Sequence, residues 1–259
     1  MDPILFHTAD GVARLTLNRP SDENRMTPEL LERLDEIAAA LERDEKTLAL
    51  IVTGAGAEFF SAGMLHPRLR AKLTRDEILG IVRLANRVFD RIEALPQITI
   101  AALNGITRAG AAELSLACDL RIAAEHATFA LPEAKWGGFP GAGAPVRLPM
   151  IVGRARALEI ICTGRELSAA EMERYGLTLQ THRAEDLAGA VTALANRIAA
   201  CGPLAIRGAK RIVNLRLASG FEPARELSDA LRHALEWTHD MAEGQAAILE
   251  GRPPRFTGQ

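Results

Sequence analysis

The sequence predicts an α/β protein with parallel strands, followed by a helical C-terminal region. Twice in the first hundred residues, a short apolar strand pattern is followed by an amphipathic helix and then by another apolar strand. This alternation is typical of parallel sheets whose strands are joined by helices. From Ala184 onward the pattern changes to amphipathic helices. We therefore expect an α/β core at residues 1–200 and a helical region at residues 201–259.

The N-terminal elements are predicted from local signals. Residues 4–8 and 12–17 are typical of short strands, and the Asp10-Gly11 pair between them indicates a compact hairpin. A helix should begin at Thr27-Pro28, because threonine caps helix N-termini and proline fits the first helical position. Its apolar face is formed by Leu30, Leu31, Leu34, Ile37 and Leu41. The apolar run at residues 48–53 predicts a buried strand.

The later elements follow the same logic. Thr74 and Glu77 form a capping-box pattern, which predicts a helix that reaches about Ala94. Residues 98–103 predict a second buried strand. Beyond Ala184, three helices are predicted at residues 184–200, 203–217 and 222–241. The tail is too small to bury a core of its own, so we expect it to pack on the α/β body or on another subunit.

Composition limits the classes of function. The 259 residues are 48% hydrophobic and 25% charged, with a net charge of -2, which gives no reason to expect nucleic acid or membrane partners. The three cysteines lack metal-site spacing, and an odd number suits a reducing compartment. We expect no metal site. The N-terminus lacks the pattern of a signal peptide, and no apolar run approaches the ~20 residues of a membrane span. The expected location is therefore cytoplasmic.

Two glutamates, twenty residues apart, are the main candidates for chemistry. Glu113 lies in a strongly apolar helical pattern, and Glu133 precedes a glycine-rich run. Burying a carboxylate is costly unless it has a partner or a role. A pair of acids can divide the roles of general acid and general base at neutral pH. The alternatives are that Glu113 complements a helix dipole and that Glu133 binds an arginine.

A resemblance to a known family runs from about Ile4 to Phe256 and rests on motifs between residues 17 and 133. They occur in this order: Leu17-Asn18-Arg19-Pro20, Val52-Thr53-Gly54-Ala55-Gly56 with Phe60-Ser61-Ala62-Gly63, Ala102-Leu103-Asn104-Gly105, Ala117-Cys118-Asp119-Leu120-Arg121-Ile122-Ala123-Ala124 and Phe129-Ala130-Leu131-Pro132-Glu133. The set resembles the crotonase (enoyl-CoA hydratase/isomerase) family. The resemblance implies a crotonase-like spiral of ββα turns, a C-terminal helical trimerisation region and a coenzyme A thioester substrate.

The resemblance also implies roles for particular residues. Glu113 and Glu133 match the two catalytic glutamates of true hydratases. The backbone N–H groups of Met64 and Gly110 match the two donors to the thioester oxygen, called the oxyanion hole. Physical reasoning supports this assignment for Gly110, because a helix N-terminus offers free N–H groups and the positive end of the helix dipole. The family usually has a small residue and then aspartate where this chain has Met64-Leu65.

Further substrate-binding candidates lie around these residues: Arg25, Ala62, Leu65, His66, Trp136 and Gly141. Arg25 is expected either to bind a phosphate of the substrate or to remain solvated. His66 is expected either to take part in the active site or to be a packing residue. Trp136 is expected to line the acyl pocket or the core.

The resemblance implies hydration of a 2-enoyl-CoA to a 3-hydroxyacyl-CoA, or the reverse dehydration. It implies no cofactor beyond the coenzyme A of the substrate, and a homotrimer or dimer of trimers. The alternative is another reaction of this fold on an acyl-CoA: isomerase, hydrolase, decarboxylase or hydratase-lyase of an aromatic enoyl-CoA. A non-catalytic, RNA-binding relative is a third class, but the arginines of residues 207–216 alternate with apolar residues as in an ordinary amphipathic helix.

Overall fold

Two sheets form the centre of the protein. The computed structural model describes residues 2–65, 67–219, 230, 234 and 238–259. The strands in these ranges are β1 (Ile4–Ala9), β2 (Val12–Leu17), β3 (Ala49–Gly54), β4 (Phe59–Ser61), β5 (Ile98–Leu103), β6 (Ile106–Arg108), β7 (Leu120–Ala124), β8 (Thr128–Ala130), β9 (Glu166–Ser168) and β10 (Gln180–His182).

The helices surround these sheets. In the described ranges they are α1 (Pro28–Leu41), α2 (Pro67–Arg70), α3 (Arg75–Ala94), α4 (Gly110–Ala117), α5 (Ala144–Val152), α6 (Arg154–Thr163), α7 (Ala169–Arg174), α8 (Ala184–Ala199), α9 (Pro203–Ser219) and α10 (His239–Glu250). The same ranges contain two short 3-10 helices, at Pro20–Asp22 and Pro132–Trp136.

From β3 to β8, successive strands alternate between the two sheets. One sheet has six strands in the order β1-β2-β3-β5-β7-β10, and the other has four in the order β4-β6-β8-β9. Apart from the antiparallel pairs β1–β2 and β8–β9, neighbouring strands are parallel. The chain therefore places one strand in each sheet and then forms a helix, as in β3-β4-α3, β5-β6-α4 and β7-β8-α5. The predicted α/β class and the spiral of ββα turns are confirmed.

Local signals placed the early elements correctly. Thr27 caps α1, with its hydroxyl oxygen accepting a hydrogen bond from the Leu30 N–H at 3.3 Å. Thr74 and Glu77 form both halves of the capping box at the start of α3. The β1–β2 hairpin turns at Asp10 and Gly11, which both have positive φ angles. These predictions are confirmed because each signal acts within a few residues.

Helix α4 is buried along its whole length. All eight of its residues are buried, so it has no polar face. Glu113 is part of this helix and is therefore enclosed, with only 2% of its surface exposed. An ionisable side chain in such a position needs hydrogen-bond partners or a shifted pKa.

The C-terminal helices pack on the α/β body. Helix α8 lies against β3, β5 and β7. The Lys210 ammonium of α9 donates to Asp119 Oδ2 at 2.7 Å and to the Gln97 carbonyl oxygen at 2.9 Å, which ties α9 to the core. The helix predicted at residues 222–241 falls mostly outside the described residues, and the division of the chain at residue 200 stays a prediction.

Within the described ranges, no single helix is long and apolar enough to cross a membrane. Helix α8 with residues 203–217 of α9 reaches the required length and composition only as a pair bent by 105°. In the same ranges, no group of three or more His, Cys, Asp and Glu side chains has the arrangement of a metal site.

Candidate active site

The turn after β4 lies directly against the start of α4. Gly63 has a φ angle of +89°, and a Cβ atom on it would lie 2.7 Å from the Arg108 carbonyl oxygen and 3.1 Å from the Gly110 nitrogen. Both the backbone conformation and the close approach require glycine at this position. The residue after Gly63, Met64, is thereby brought beside Gly110.

Gly110 begins α4, so its backbone N–H has no acceptor within its own helix. Its N-cap, Ala109, has an unusual conformation with φ 55° and ψ -128°. For the Met64 N–H, no acceptor is present among the residues that the structure describes. Two backbone donors predicted from the sequence thus lie on adjacent segments and are both free.

The Met64 side chain covers Gly110. A Cβ atom on Gly110 would lie 2.4 Å from Met64 Cε and 3.0 Å from Met64 Cγ. Met64 itself is buried, with 7% of its surface exposed. The prediction gave a role only to the Met64 backbone, whereas the structure shows that its side chain also restricts what residue fits at position 110.

Glu113 is held by the segment that leads into α5. Its Oε1 atom accepts hydrogen bonds from the Ala142 N–H at 2.7 Å and from the Ala144 N–H at 3.1 Å. Burial, together with the charge of Glu133, raises the pKa of Glu113 to about 8, against the opposing effect of these two donors. The helix N-terminus that Glu113 meets is therefore that of α5 rather than its own.

Glu133 lies in the 3-10 helix Pro132–Trp136 and is half-buried. Its Oε2 atom is buried and has no hydrogen-bond partner in the described part of the chain. No ion pair to an arginine involves Glu133 there, contrary to the alternative interpretation. Burial raises the pKa of Glu133 to about 7. An unpaired, desolvated carboxylate of this kind is typical of a functional site.

The two acids act on each other electrostatically. The charge of Glu133 raises the pKa of Glu113. With pKa values of about 7 and about 8, one acid can be ionised while the other is protonated near neutral pH. Such a pair, next to two free backbone donors, can add or remove protons at a substrate whose oxygen the donors hold.

Comparison with known proteins identifies the family. Residues 7–259 match the model of the family described as enoyl-CoA hydratase/isomerase. The chain belongs to this family. The predicted resemblance is thereby confirmed over almost the whole sequence, and the fold agrees with that of solved members.

Individual relatives cover nearly the full chain. A crystal structure of enoyl-CoA hydratase from Bacillus anthracis superimposes with a TM-score of 0.96, at 35% identity and 100% coverage of both chains. YngF of Bacillus subtilis, named after the same hydratase/isomerase group, is 38% identical over 258 residues, or 99% of each chain. The 1,2-epoxyphenylacetyl-CoA isomerase of Escherichia coli is 32% identical over 100% of each chain.

Two of the other substrate-binding candidates in this member of the enoyl-CoA hydratase/isomerase family, Arg25 and Leu65, already have partners within the protein. The Arg25 guanidinium pairs with Glu23, lies 3.9 Å from Asp22 Oδ1 and donates to the Ala62 carbonyl oxygen at 3.4 Å. Its charge is thus already engaged by acids, which weakens the expectation of a free phosphate contact. Leu65 is half-buried and packs against the core.

The remaining candidates lie at the edge of what is described. Gly141 is exposed, and its carbonyl oxygen accepts from the Asn86 side-chain amide at 2.9 Å. Trp136 ends the 3-10 helix of Glu133, and its side chain lies outside the described part of the structure. His66 falls outside the described residues, so its predicted alternatives stay open.

Sequence reasoning missed the residues that support Glu113. The Ala142 and Ala144 donors are backbone groups and leave no side-chain signature. Arg147 is also part of this support, because its guanidinium donates to the Ala142 carbonyl oxygen at 3.2 Å. The available signal was a single arginine within the otherwise apolar helix α5.

Proposed function

We propose that this protein is an enoyl-CoA hydratase-like hydro-lyase, which converts a 2-enoyl-CoA thioester to a 3-hydroxyacyl-CoA or catalyses the reverse dehydration. The observation that carries the proposal is the pair of desolvated glutamates, Glu113 and Glu133, beside the free N–H groups of Met64 and Gly110. The pKa values of the pair, about 8 and about 7, suit an acid and a base that work together near neutral pH.

In this mechanism the Met64 and Gly110 N–H groups donate to the thioester oxygen. They stabilise the negative charge that develops there as the thioester takes on enolate character. Each such donor typically contributes on the order of 3 kcal/mol to lowering the barrier. The N-terminus of α4 adds the positive end of a helix dipole at the same place.

The two glutamates complete the addition of water. The ionised acid takes a proton from water as the water oxygen bonds to the β-carbon, and the protonated acid gives its proton to the α-carbon. One proton and one hydroxyl group are thus added across the double bond, and a proton transfer between the acids restores the starting state. Which glutamate takes which role is left open, because both have pKa values near neutrality.

The likeness to an enoyl-CoA hydratase of Bacillus anthracis supports this substrate class. We infer that coenzyme A enters as part of the substrate and that no further cofactor is needed. The homotrimer or dimer of trimers and the cytoplasmic location stay predictions.

A second candidate is an isomerase or another acyl-CoA reaction of this fold. The 32% identity to the 1,2-epoxyphenylacetyl-CoA isomerase of Escherichia coli favours keeping it. An isomerase needs the same oxygen-binding donors, since its intermediate carries the same charge. Hydrolase and hydratase-lyase reactions differ in their products and are separated by the same experiment, whereas a decarboxylase would need a substrate with a free carboxylate.

The test offers crotonyl-CoA, longer 2-enoyl-CoA and aromatic enoyl-CoA thioesters to the purified protein. Loss of the conjugated thioester absorbance is followed, and the product is identified by mass spectrometry. The proposal predicts a product heavier by one water. A product of unchanged mass would instead indicate an isomerase, free coenzyme A a hydrolase, and two carbon fragments a lyase.

A further inference from the structure

Arg147 is a buried arginine that connects α3 to the segment before α5. Its side chain is 7% exposed. The guanidinium Nε donates to Glu93 Oε2 at 2.9 Å, and Nη2 pairs with both Asp90 and Glu93 of α3. Its third nitrogen, Nη1, donates to the Ala142 carbonyl oxygen at 3.2 Å. One side chain thus joins two acids of a long helix to the backbone of a turn.

Gly143 is shaped to receive this guanidinium. Its φ angle is +112°, and a Cβ atom on it would lie 1.9 Å from Arg147 Nη1. The Arg147 backbone N–H also donates to the Gly143 carbonyl oxygen at 3.0 Å. The guanidinium therefore occupies the space that a side chain at position 143 would need. Arg147 also bonds to the carbonyl oxygens of both Ala142 and Gly143, which fixes the turn.

The same turn holds the candidate acid. Ala142 and Ala144, on either side of Gly143, donate their N–H groups to Glu113 Oε1. We propose that Arg147 is a positioning residue for Glu113: by clamping residues 142–144 to α3, it fixes the two N–H donors that orient the carboxyl group. The reaction consequence rests on the proposed function, whereas the effect on Glu113 itself does not.

Charge reinforces this geometry. Among the described residues, the largest charge effects on Glu113 come from Glu133, in the 3-10 helix, and Arg147, in α5. Arg147 lowers the pKa of Glu113, in opposition to burial and to Glu133. Asp90 and Glu93 of α3 face Arg147 and partly neutralise it. Loss of the guanidinium should therefore raise the pKa of Glu113, and loss of its two acids should lower it.

The Arg147 guanidinium can be removed without leaving an isolated buried charge. The Asp90 and Glu93 side chains are 68% and 49% exposed, so water solvates them once Arg147 is gone. Removing one partner of a buried ion pair is strongly destabilising when the other charge stays buried, and the two exposed acids of Arg147 avoid that cost. Arg147→Met is therefore expected to fold.

A matched control lies on the same helix α3. Arg91 also pairs with two acids, Asp35 at 2.6 Å and Glu42 at 3.0 Å, and joins α3 to α1. Arg91→Met removes an equivalent link between helices without touching the turn that holds Glu113.

The experiment measures kcat, KM and the pH dependence of kcat/KM for enoyl-CoA hydration, with the melting temperature of each variant. Arg147→Met should lower kcat by about 10-fold or more with little change in KM, and should move the upper limb of the pH profile to higher pH. Arg147→Lys keeps the charge but not the fork of donors, so it should restore the pH profile more fully than kcat. Arg91→Met should leave both unchanged.

The double variant Asp90→Asn, Glu93→Gln changes only exposed side chains and should have the opposite effect on the pH profile. It should move the upper limb of the profile to lower pH, because the charge of Arg147 is then less neutralised and lowers the pKa of Glu113 more. The inference is overturned if Arg147→Met leaves kcat and the pH limb as in the wild type, or if Arg91→Met reproduces its effects.

A second measurement does not depend on catalysis. The difference in pH-dependent stability between Arg147→Met and Arg147→Met, Glu113→Gln reports the protonation of Glu113 by itself. If the protein hydrates no enoyl-CoA, the proposed function fails. The same difference between the wild type and Glu113→Gln gives the transition with Arg147 present. If the transition does not lie at higher pH in the Arg147→Met pair than in the wild-type pair, the positioning role fails.

Discussion

Glu113→Gln should make the protein more stable at neutral pH, and the gain should grow as the pH rises. The folded protein holds the pKa of Glu113 at about 8, far above the ordinary value of 4.5, because burial disfavours the carboxylate. Between those values, folded Glu113 keeps a proton that the unfolded chain has released. The free energy of unfolding must therefore fall as the pH rises through this range. Glutamine, which has no proton to lose, removes this dependence.

The size of the effect follows from the shift. One proton that is bound only in the folded state lowers the free energy of unfolding by about 1.4 kcal/mol per pH unit. From about pH 5.5 to about pH 7.5, the wild type should lose about 3 kcal/mol relative to Glu113→Gln. The glutamine oxygen can still accept the N–H groups of Ala142 and Ala144, so the variant keeps the local structure.

Urea unfolding at several pH values, at one protein concentration, measures this difference. Glu125→Gln serves as the control, because Glu125 is an exposed acid at the end of β7, and it should follow the wild type. Glu133 is present in both proteins, so its own titration largely cancels. Parallel curves for the wild type and Glu113→Gln would refute the reasoning, since they would mean that water reaches Glu113 and leaves it with an ordinary pKa.

The remaining predictions concern Met64 and Gly110, the C-terminal helices and assembly. Gly110→Ala should lower turnover, because its Cβ would meet Met64 Cε and Cγ and displace that side chain. Met64→Ala in the same chain should restore part of the activity, and no recovery in kinetic assays would contradict that cause. Gly110→Val should abolish turnover while the fold and the trimer persist, and Met64→Ala alone should be far milder; equal losses in kinetic assays would contradict a backbone role for Met64. Lys210→Met should cost about 3 kcal/mol in urea unfolding, since Asp119 loses its charge partner, and a loss below about 1 kcal/mol would contradict this. Light scattering should give a trimer or hexamer, and a stable monomer of 27.9 kDa would exclude it.

The sequence was informative where structure depends on neighbours in the chain. Helices α1 and α3 were placed because Thr27, Thr74 and Glu77 act on N–H groups three residues away. The strands β4, β6 and β8 were not predicted. Each has only three residues and exists through pairing with a distant segment, as when Phe59 pairs with Ile106.

The same distinction applies to the candidate site. Glu113 and Glu133 were identifiable because an acid in an apolar setting is itself a signal. Their environment was not predictable, because Ala142 and Ala144 contribute backbone groups that any residue could supply. The position of the Met64 side chain over Gly110 depends on how the turn at Gly63 meets α4, which is a tertiary contact.

The most direct test of the central claim is the rate at which 3-hydroxyacyl-CoA forms from crotonyl-CoA with the wild type, Glu113→Gln and Glu133→Gln. We expect the wild type to add water, and each variant to be slower by about 10²-fold or more, the usual contribution of a general acid or base. A loss at Glu133 alone would favour an isomerase-like or lyase-like reaction. Full activity in either variant, or no water-added product from the wild type, would contradict hydration by a pair of glutamates.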